Sequence, residues 1–512
     1  MLNQLKGGAL ISYISIFANN VIGLLYTPFL IRSLGQSEFG LYSLASSTVG
    51  YLLLMDMGFG NAIIRFTAKY RAGGDKASEA RLHNMFITVY VVIGLIVAIA
   101  GFLLALNSKH VFSKTMTSEE LEKVRILIIL LTINISITLF FSTYRAIVVA
   151  YEKFIFIKVV DLVRIILNPI LMIPFLVYGY KSIALVVVLT VLNSGVLISN
   201  YLYCRRKISV RPVFGSFNKS LFSEVIGYSS LVFVSSVVDQ VYWNSNQFIL
   251  GAVASTTAIA IYALAITIKN LYFSFSTAII SVFLPRVTTL IANNASNQEV
   301  SNLFIKIGRI QYFIISLVLS GFILFGREFI HIWVGAKYDD SFIITLLIII
   351  PVTIPLIQNM GLTILQAQNR LRFRSLTYLI IAIFSIIISI PMAKAYQGFG
   401  AALVTCVSIS LGHGLIMNVY YQKKIQLDIR RFWFEIGKIS IPILGAVLVF
   451  LLMKKFWFEQ KNLFNFVGGI LLYISIFIAL VWKFAMNNYE KGLFKRAVLL
   501  LYHKLNLYIK RN

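Results

Sequence analysis

Cysteine is almost missing. The 512 residues hold two, Cys204 and Cys406, which excludes a disulfide framework and leaves no metal-ligand spacing to read. Both lie in or beside apolar segments, where a buried, unreactive thiol is expected. Charge is scarce too, at 13% of residues, and acids are scarcer than bases, with 19 Asp and Glu against 46 Lys and Arg. No GxxxxGK[ST] phosphate loop occurs and no polar stretch could hold a nucleotide-binding domain, so ATP is not the expected energy source. The five histidines, His83, His110, His331, His413 and His503, are scattered, and none is assigned a proton relay.

What is abundant is apolar. At 59% hydrophobic residues and a mean hydropathy of +0.84, the side chains are too many for one water-soluble core, and the chain needs lipid as its solvent. The net charge of +27 would suit nucleic acid in a soluble protein. In this composition it points to loops facing anionic lipid, and no nucleic-acid partner is expected.

A membrane-crossing helix needs roughly 20 mostly apolar residues. Fourteen segments qualify, near 10–31, 39–60, 84–106, 124–144, 159–178, 182–203, 228–250, 257–283, 305–325, 341–365, 375–394, 399–421, 439–456 and 464–486. The first apolar run is too long for the core of a signal peptide and lacks a small-residue cleavage site, so it reads as a retained helix. The longest outer connection, about Asn107 to Leu121, is too short for a folded domain. With the N-terminus inside, and charges in the first or last five residues of a span counted with the adjoining loop, 32 of the 46 basic residues fall on the cytoplasmic side and 12 on the outer side. This asymmetry predicts both ends in the cytoplasm. Arg164 and Lys269 remain within spans.

The chain also repeats itself. YRAIVVAYEKF (144–154) with ILMIPFLVYGYKSIAL (170–185) aligns without a gap on GLTILQAQNRLRF (361–373) with IISIPMAKAYQGFGAAL (387–403), and Pro174 coincides with Pro391. FGLYSLA (39–45) likewise resembles AIYALA (260–265). The expected architecture is an all-α integral membrane protein with two pseudo-symmetric six-helix bundles, 1–218 and 219–436, around a central cavity. Residues 437–512 add two helices and a basic tail. Six being even, the repeats enter the membrane in the same sense, an arrangement that suits a transporter rocking about its midplane.

The stretch FGLYSLASSTVGYLLLMDMGFGNAIIRFTAKY (39–70), with its Phe-Gly-Leu-Tyr start and Asp-x-Gly exit followed by Arg, resembles the polysaccharide transporter family. These are the O-antigen and capsule repeat-unit flippases of the multidrug/oligosaccharidyl-lipid/polysaccharide exporter superfamily. The Tyr-Arg-Ala…Tyr-Glu-Lys-Phe exit of the fourth span is similar to the same family. The resemblance implies a multi-pass protein of the bacterial inner membrane that moves an undecaprenyl-pyrophosphate-linked oligosaccharide to the outer leaflet. It implies no cofactor, leaves a coupling proton or sodium ion open, and makes membrane lipids and a glycan polymerase or ligase the expected partners. In distant lipid II flippases of this superfamily the last two helices form a lipid-tail groove, a role Ser440–Phe456 and Phe464–Phe484 could share.

A pyrophosphate in a low-dielectric cavity requires positive charge, and a basic residue within a span is costly unless paired or solvated. Arg164 and Lys269, one in each repeat, are therefore the substrate-binding candidates, with Arg suited to forked phosphate recognition and Lys to a point contact. Arg164 is also placed to pair with Asp161, three residues away on the same helical face, and Lys269 could snorkel or find a partner in its bundle. The seventh span carries a polar stripe of Ser235, Asp239, Tyr242 and Asn246, and the first carries Ser12, Ser15, Asn19 and Tyr26. Asn20 aligns with Asp239 in the repeat. These stripes suit sugar hydroxyls or, equally, helix-to-helix hydrogen bonds. Asp239 is a candidate for a coupling ion or for pairing with Lys269. Asp56 and Arg65 frame the exit of the second span as gate or structural residues, and Glu119, Glu120 and Glu122 read as caps of the fourth span. A multidrug exporter or a flippase for another lipid-linked precursor is the alternative, and two intramembrane cations favour an anionic cargo over a cationic drug. A membrane polymerase or ligase is disfavoured because no acid-base cluster stands at the outer surface.

Overall fold

Deprived of water, a backbone crossing lipid must satisfy its own hydrogen bonds, which leaves helices as the form for these apolar runs. In the computed structural model residues 2–209, 219–293, 295–368, 370–457 and 463–495 are described, and among them every regular element is a helix. The first six spans use α1 (Leu2–Leu34), α2 (Gln36–Gly50) with α3 (Phe59–Ala72), α4 (Lys76–Phe112), α5 (Ser118–Ala150), α6 (Phe154–Val177) and α7 (Ser182–Tyr203). The next six use α8 (Lys219–Val253), α9 (Thr256–Ala292), α10 (Asn297–Val334), α11 (Ser341–Ile357) with α12 (Asn359–Ala367), and α13 (Leu371–Ile409), which runs through a π-helical turn into α14 (Met417–Lys423). α15 (Ile429–Trp457) and α16 (Leu463–Phe484) follow.

Among the described residues eleven helices are long and apolar enough to cross a bilayer, or thirteen if each of two bent pairs is one span. The 53-residue stretch from Leu371 to Lys423 would reach about 80 Å as one rod, far beyond a hydrocarbon core of about 30 Å. It breaks at Gln397, where φ is 49° and ψ −133°, and so holds two spans, which gives the fourteen expected from the sequence. The boundaries move more than the count. α4 continues to Phe112 and α5 starts at Ser118, so the connection expected to run from Asn107 to Leu121 is much shorter. Asn107 and Ser108 bond back to the carbonyls of Leu103 and Ala105, and Thr117 and Glu120 form a reciprocal capping box that fixes the start of α5.

The second span is broken. After α2 the backbone tightens over residues 51–56, and Met57 and Gly58 then take positive φ of 50° and 72°. Glycine at 58 tolerates that conformation at no steric cost, and a Cβ there would also meet Val232 Cγ1 at 2.7 Å. α3 leaves the break as an amphipathic helix. It buries Phe59, Ile63 and Phe66 while Arg65 and Lys69 stay exposed. Its Arg71 lies 4.0 Å from the Tyr151 ring centre and donates to the Ala150 carbonyl at 2.7 Å. Tyr151 in turn donates to Glu79 at 2.6 Å, which gives the Tyr-Glu-Lys-Phe motif a structural task at the end of α5. Outside the spans, Asp75 caps α4 by accepting from Ser78 N at 2.9 Å. That hydrogen bonding holds its carboxyl below the usual range.

The chain divides into two compact units. One comprises Met1–Ile268, His331–Thr345 and Arg372–Ser408; the other comprises Lys269–Ile330, Leu346–Leu371 and the chain from Ile409 onward. Within the second, Phe325 of α10, Phe450 of α15 and Tyr473 of α16 form an aromatic core. The repeat boundary at 218 and the basic tail beyond residue 495 fall on residues outside those described.

Candidate functional site

α1 and α6 pack along one another. Gly7 and Gly8 lie against Ile155 and Phe154, so the two helices start side by side, and as the first and fifth spans they run parallel. Arg164 then stands about 15 Å along α6 at 1.5 Å per residue, near the middle of this 24-residue helix and within one helical turn of the height of Asn19 on α1. Arg164 and Asn19 are exposed and Asn20 is half-buried. The expected pairing of Arg164 with Asp161 is not what forms. Arg145 of α5 reaches Asp161 as a fork, with Nη1–Oδ1 at 3.0 Å and Nη2–Oδ2 at 2.9 Å. One acid meets a planar bidentate donor from the neighbouring helix, so Asp161 belongs to bundle packing. Arg145 was countable from sequence only as a loop charge.

α8 divides its polar stripe between two tasks. Asn246 is buried, and its amide donates to Thr405 Oγ1 at 2.7 Å, Tyr262 Oη at 3.0 Å and the Ala401 carbonyl at 3.3 Å, which ties α8 to α9 and α13. Asn246→Ala is expected to lower stability by about 1–3 kcal/mol; an unchanged unfolding midpoint in detergent would refute this packing role. Asp239 is exposed, and the Arg374 guanidinium is a charge that acts on it. Arg374, also taken from sequence as a loop residue, sits 4.7 Å from the Tyr378 ring centre. That ring faces Tyr242 at 6.5 Å, and Tyr242 in turn meets Trp243 at 5.1 Å. An acid, a guanidinium and three aromatic rings are a set that can take sugar hydroxyls and pyranose faces. Among the described residues, the buried hydroxyls of Ser15, Tyr26 and Tyr242 and the Asn168 carbonyl have no protein partner. They lie on α1, α6 and α8.

Asp56, at the break in the second span, accepts from Tyr90 Oη at 2.6 Å, and Arg65 is exposed on α3 with its guanidinium 6.0 Å from the Phe66 ring centre. Lys269 opens the second unit. It is 5% exposed, and its ammonium lies 5.1 Å from the Phe273 ring centre, a contact that offsets part of the cost of burying the cation. The same unit contains an apolar cavity of about 340 Å³ between α10 and α16. Gly321, Phe322 and Phe325 line it from one side and Phe466, Ile470 and Tyr473 from the other.

The profile of the family described as polysaccharide biosynthesis protein matches residues 5–291, more than half of the chain. The chain belongs to that family. Across 401 residues it is 22% identical to a "Putative O-antigen transporter" of Shigella flexneri, which covers 77% of this chain and 92% of the relative. Among solved structures it is similar to the lipid II flippase MurJ in an inward closed conformation, with a TM-score of 0.72, 15% identity and coverage of 96% and 99% of the two chains. An inward-facing multidrug resistance MATE family transporter of the MOP superfamily gives 0.60 at 14% identity, over 80% of this chain and 95% of that one. The family member is thus a multi-pass membrane protein with the flippase and MATE fold, as the motifs of residues 39–70 and 144–154 led one to expect. These relatives are transporters and flippases rather than enzymes.

Proposed function

We propose that the protein is a flippase. It carries undecaprenyl-pyrophosphate-linked oligosaccharide from the cytoplasmic to the outer leaflet of the bacterial inner membrane, with both termini in the cytoplasm. The observation that carries the reading is Arg164, an exposed guanidinium near mid-depth whose nearest acid in sequence is already taken by Arg145. A cation so placed suits an anionic cargo. Lys269 supplies the second charge from the other repeat, and the α8 set around Asp239 and Arg374 takes the sugars. The apolar cavity on α10 and α16 accommodates the polyprenyl tail, while α15 does not line it. The parallel repeats of 1–218 and 219–436 alternate in access around the head group, driven by an ion gradient, the membrane potential or consumption of product outside. A glycan polymerase or ligase receives that product.

The test is outer-leaflet exposure of the lipid-linked oligosaccharide in cells depleted of the protein, with synthesis on the inner leaflet followed in parallel. The expected result is accumulation inside and loss outside, reversed by re-expression. Unchanged exposure in a strain without redundant flippases would turn the reading to another lipid-linked precursor or to drug export.

A further inference from the structure

Several hydrogen bonds within the first compact unit join the N-terminal repeat to the C-terminal repeat, and they gather at one end of the helices, away from the basic loops. Thr256, at the start of α9, donates to Glu120 Oε1 at 3.0 Å, and Ser37 of α2 donates to the same oxygen at 2.7 Å. Thr115, in the turn before α5, donates to the Gly251 carbonyl at 2.7 Å. Gln36 reaches the Lys337 carbonyl at 2.6 Å, and Trp333 reaches the Leu24 carbonyl at 2.7 Å. Gly40 lies so close to the Thr256 carbonyl that a Cβ would not fit between them. At the opposite end of the same unit, Lys69 and Glu224 also form an ion pair between the repeats. It spans 3.7 Å between side chains 63% and 56% exposed, a geometry worth little in water.

We propose that the outer ends form a latch, centred on the Glu120 carboxylate, that keeps the substrate path shut toward the outside and parts when cargo is released there. This rests on the flippase reading for its cargo but not for its motion. Glu120 suits the role because it is fixed twice over. Its Oε2 accepts from Thr117 N at 3.1 Å in the α5 capping box, which leaves Oε1 aimed at Ser37 and Thr256. The neighbouring Glu38 is buried and accepts from Lys123 at 2.9 Å and from Ser182, so α2, α5 and α7 present a rigid rim to the two outer turns, 251–256 and 332–337, of the second repeat. A seam held by a few directed hydrogen bonds, with Glu120 at its centre, is a barrier that a single side chain can weaken.

The test uses the full-length protein in vesicles with Cys204 and Cys406 replaced by serine and one reporter, Ser245→Cys. Ser245 is buried beneath the seam against Tyr51, with the two hydroxyl oxygens 2.7 Å apart. A membrane-impermeant maleimide applied from outside should label it slowly, and Glu120→Ala or Thr256→Ala should each raise the rate about tenfold, the effect of one lost hydrogen bond to a charged group. Thr117→Ala, which weakens the cap but spares the seam, should leave the rate unchanged. Equal labelling in all variants, or an equal rise with Thr117→Ala, would overturn the latch. Should either alanine variant fold poorly, a Ser37→Cys/Thr256→Cys pair bridged by a short bifunctional reagent should lower reporter labelling, and labelling unaffected by the bridge would overturn it as well. Because labelling needs no lipid-linked sugar, a wrong substrate assignment would leave this result standing.

Discussion

Arg309→Ala should destabilise the detergent-solubilised protein by about 3–5 kcal/mol, the cost of stranding a buried charge. Arg309 of α10 is 7% exposed at its side chain and Glu490 1%. Nε and Nη2 of Arg309 grip the two oxygens of Glu490 at 2.6 and 2.9 Å, Nη1 reaches Glu435 of α15 at 2.6 Å, and Nη2 also donates to the Ala485 carbonyl at 3.0 Å. One guanidinium therefore fastens both appended helices to α10. The α10 and α16 walls of the apolar cavity depend on that attachment. A lowered unfolding midpoint, with much of the loss recovered in Arg309→Met/Glu490→Leu, is the expected pattern, since a packed apolar pair can replace a buried ion pair. Glu435 would keep Lys438, at 3.1 Å, as its partner in that double variant. Wild-type stability in Arg309→Ala would show the cluster to be dispensable.

Arg164→Gln/Lys269→Gln is expected to reduce transport about a hundredfold or more at equal membrane abundance. Each charge-assisted contact to a phosphate is worth about 1.5–3 kcal/mol, and glutamine keeps length and polarity while losing the charge. Arg164→Lys should fall between the double variant and wild type, because it keeps the charge and gives up the planar fork. The measurement is the rate of outer-leaflet appearance of the lipid-linked oligosaccharide, with protein amount checked by thermal unfolding and membrane fractionation. A folded double glutamine variant that transports like wild type would remove both residues from the site.

Much of the fold was legible because hydrophobic length is a local property. Each of the fourteen apolar runs became helical, the second and tenth with a break, and Thr117 with Glu120 capped α5 as the acids there suggested. The break at Met57–Gly58 was not foreseen, although the Asp-x-Gly motif marks it, since a left-handed pair inside an apolar run leaves little trace in hydropathy. The site was legible only in part. Asp161 had Arg164 one turn away in sequence, yet packing brought Arg145 from α5 into a better geometry. Arg374 counted as a loop charge until the first turn of α13 set it near Asp239, and Asn246, a candidate for sugar, holds three helices together.

Composition and hydropathy determined by themselves that this is a many-span, all-helical membrane protein with few charges inside its spans. These features depend on transfer to lipid, which each segment undergoes nearly independently of the others. Only the tertiary structure decided which polar groups satisfy one another. The Arg309–Glu490 clamp and the Glu120 seam join residues 181 and 136 positions apart, and the partner of a buried polar group is set by whichever helix lies beside it, not by distance along the chain.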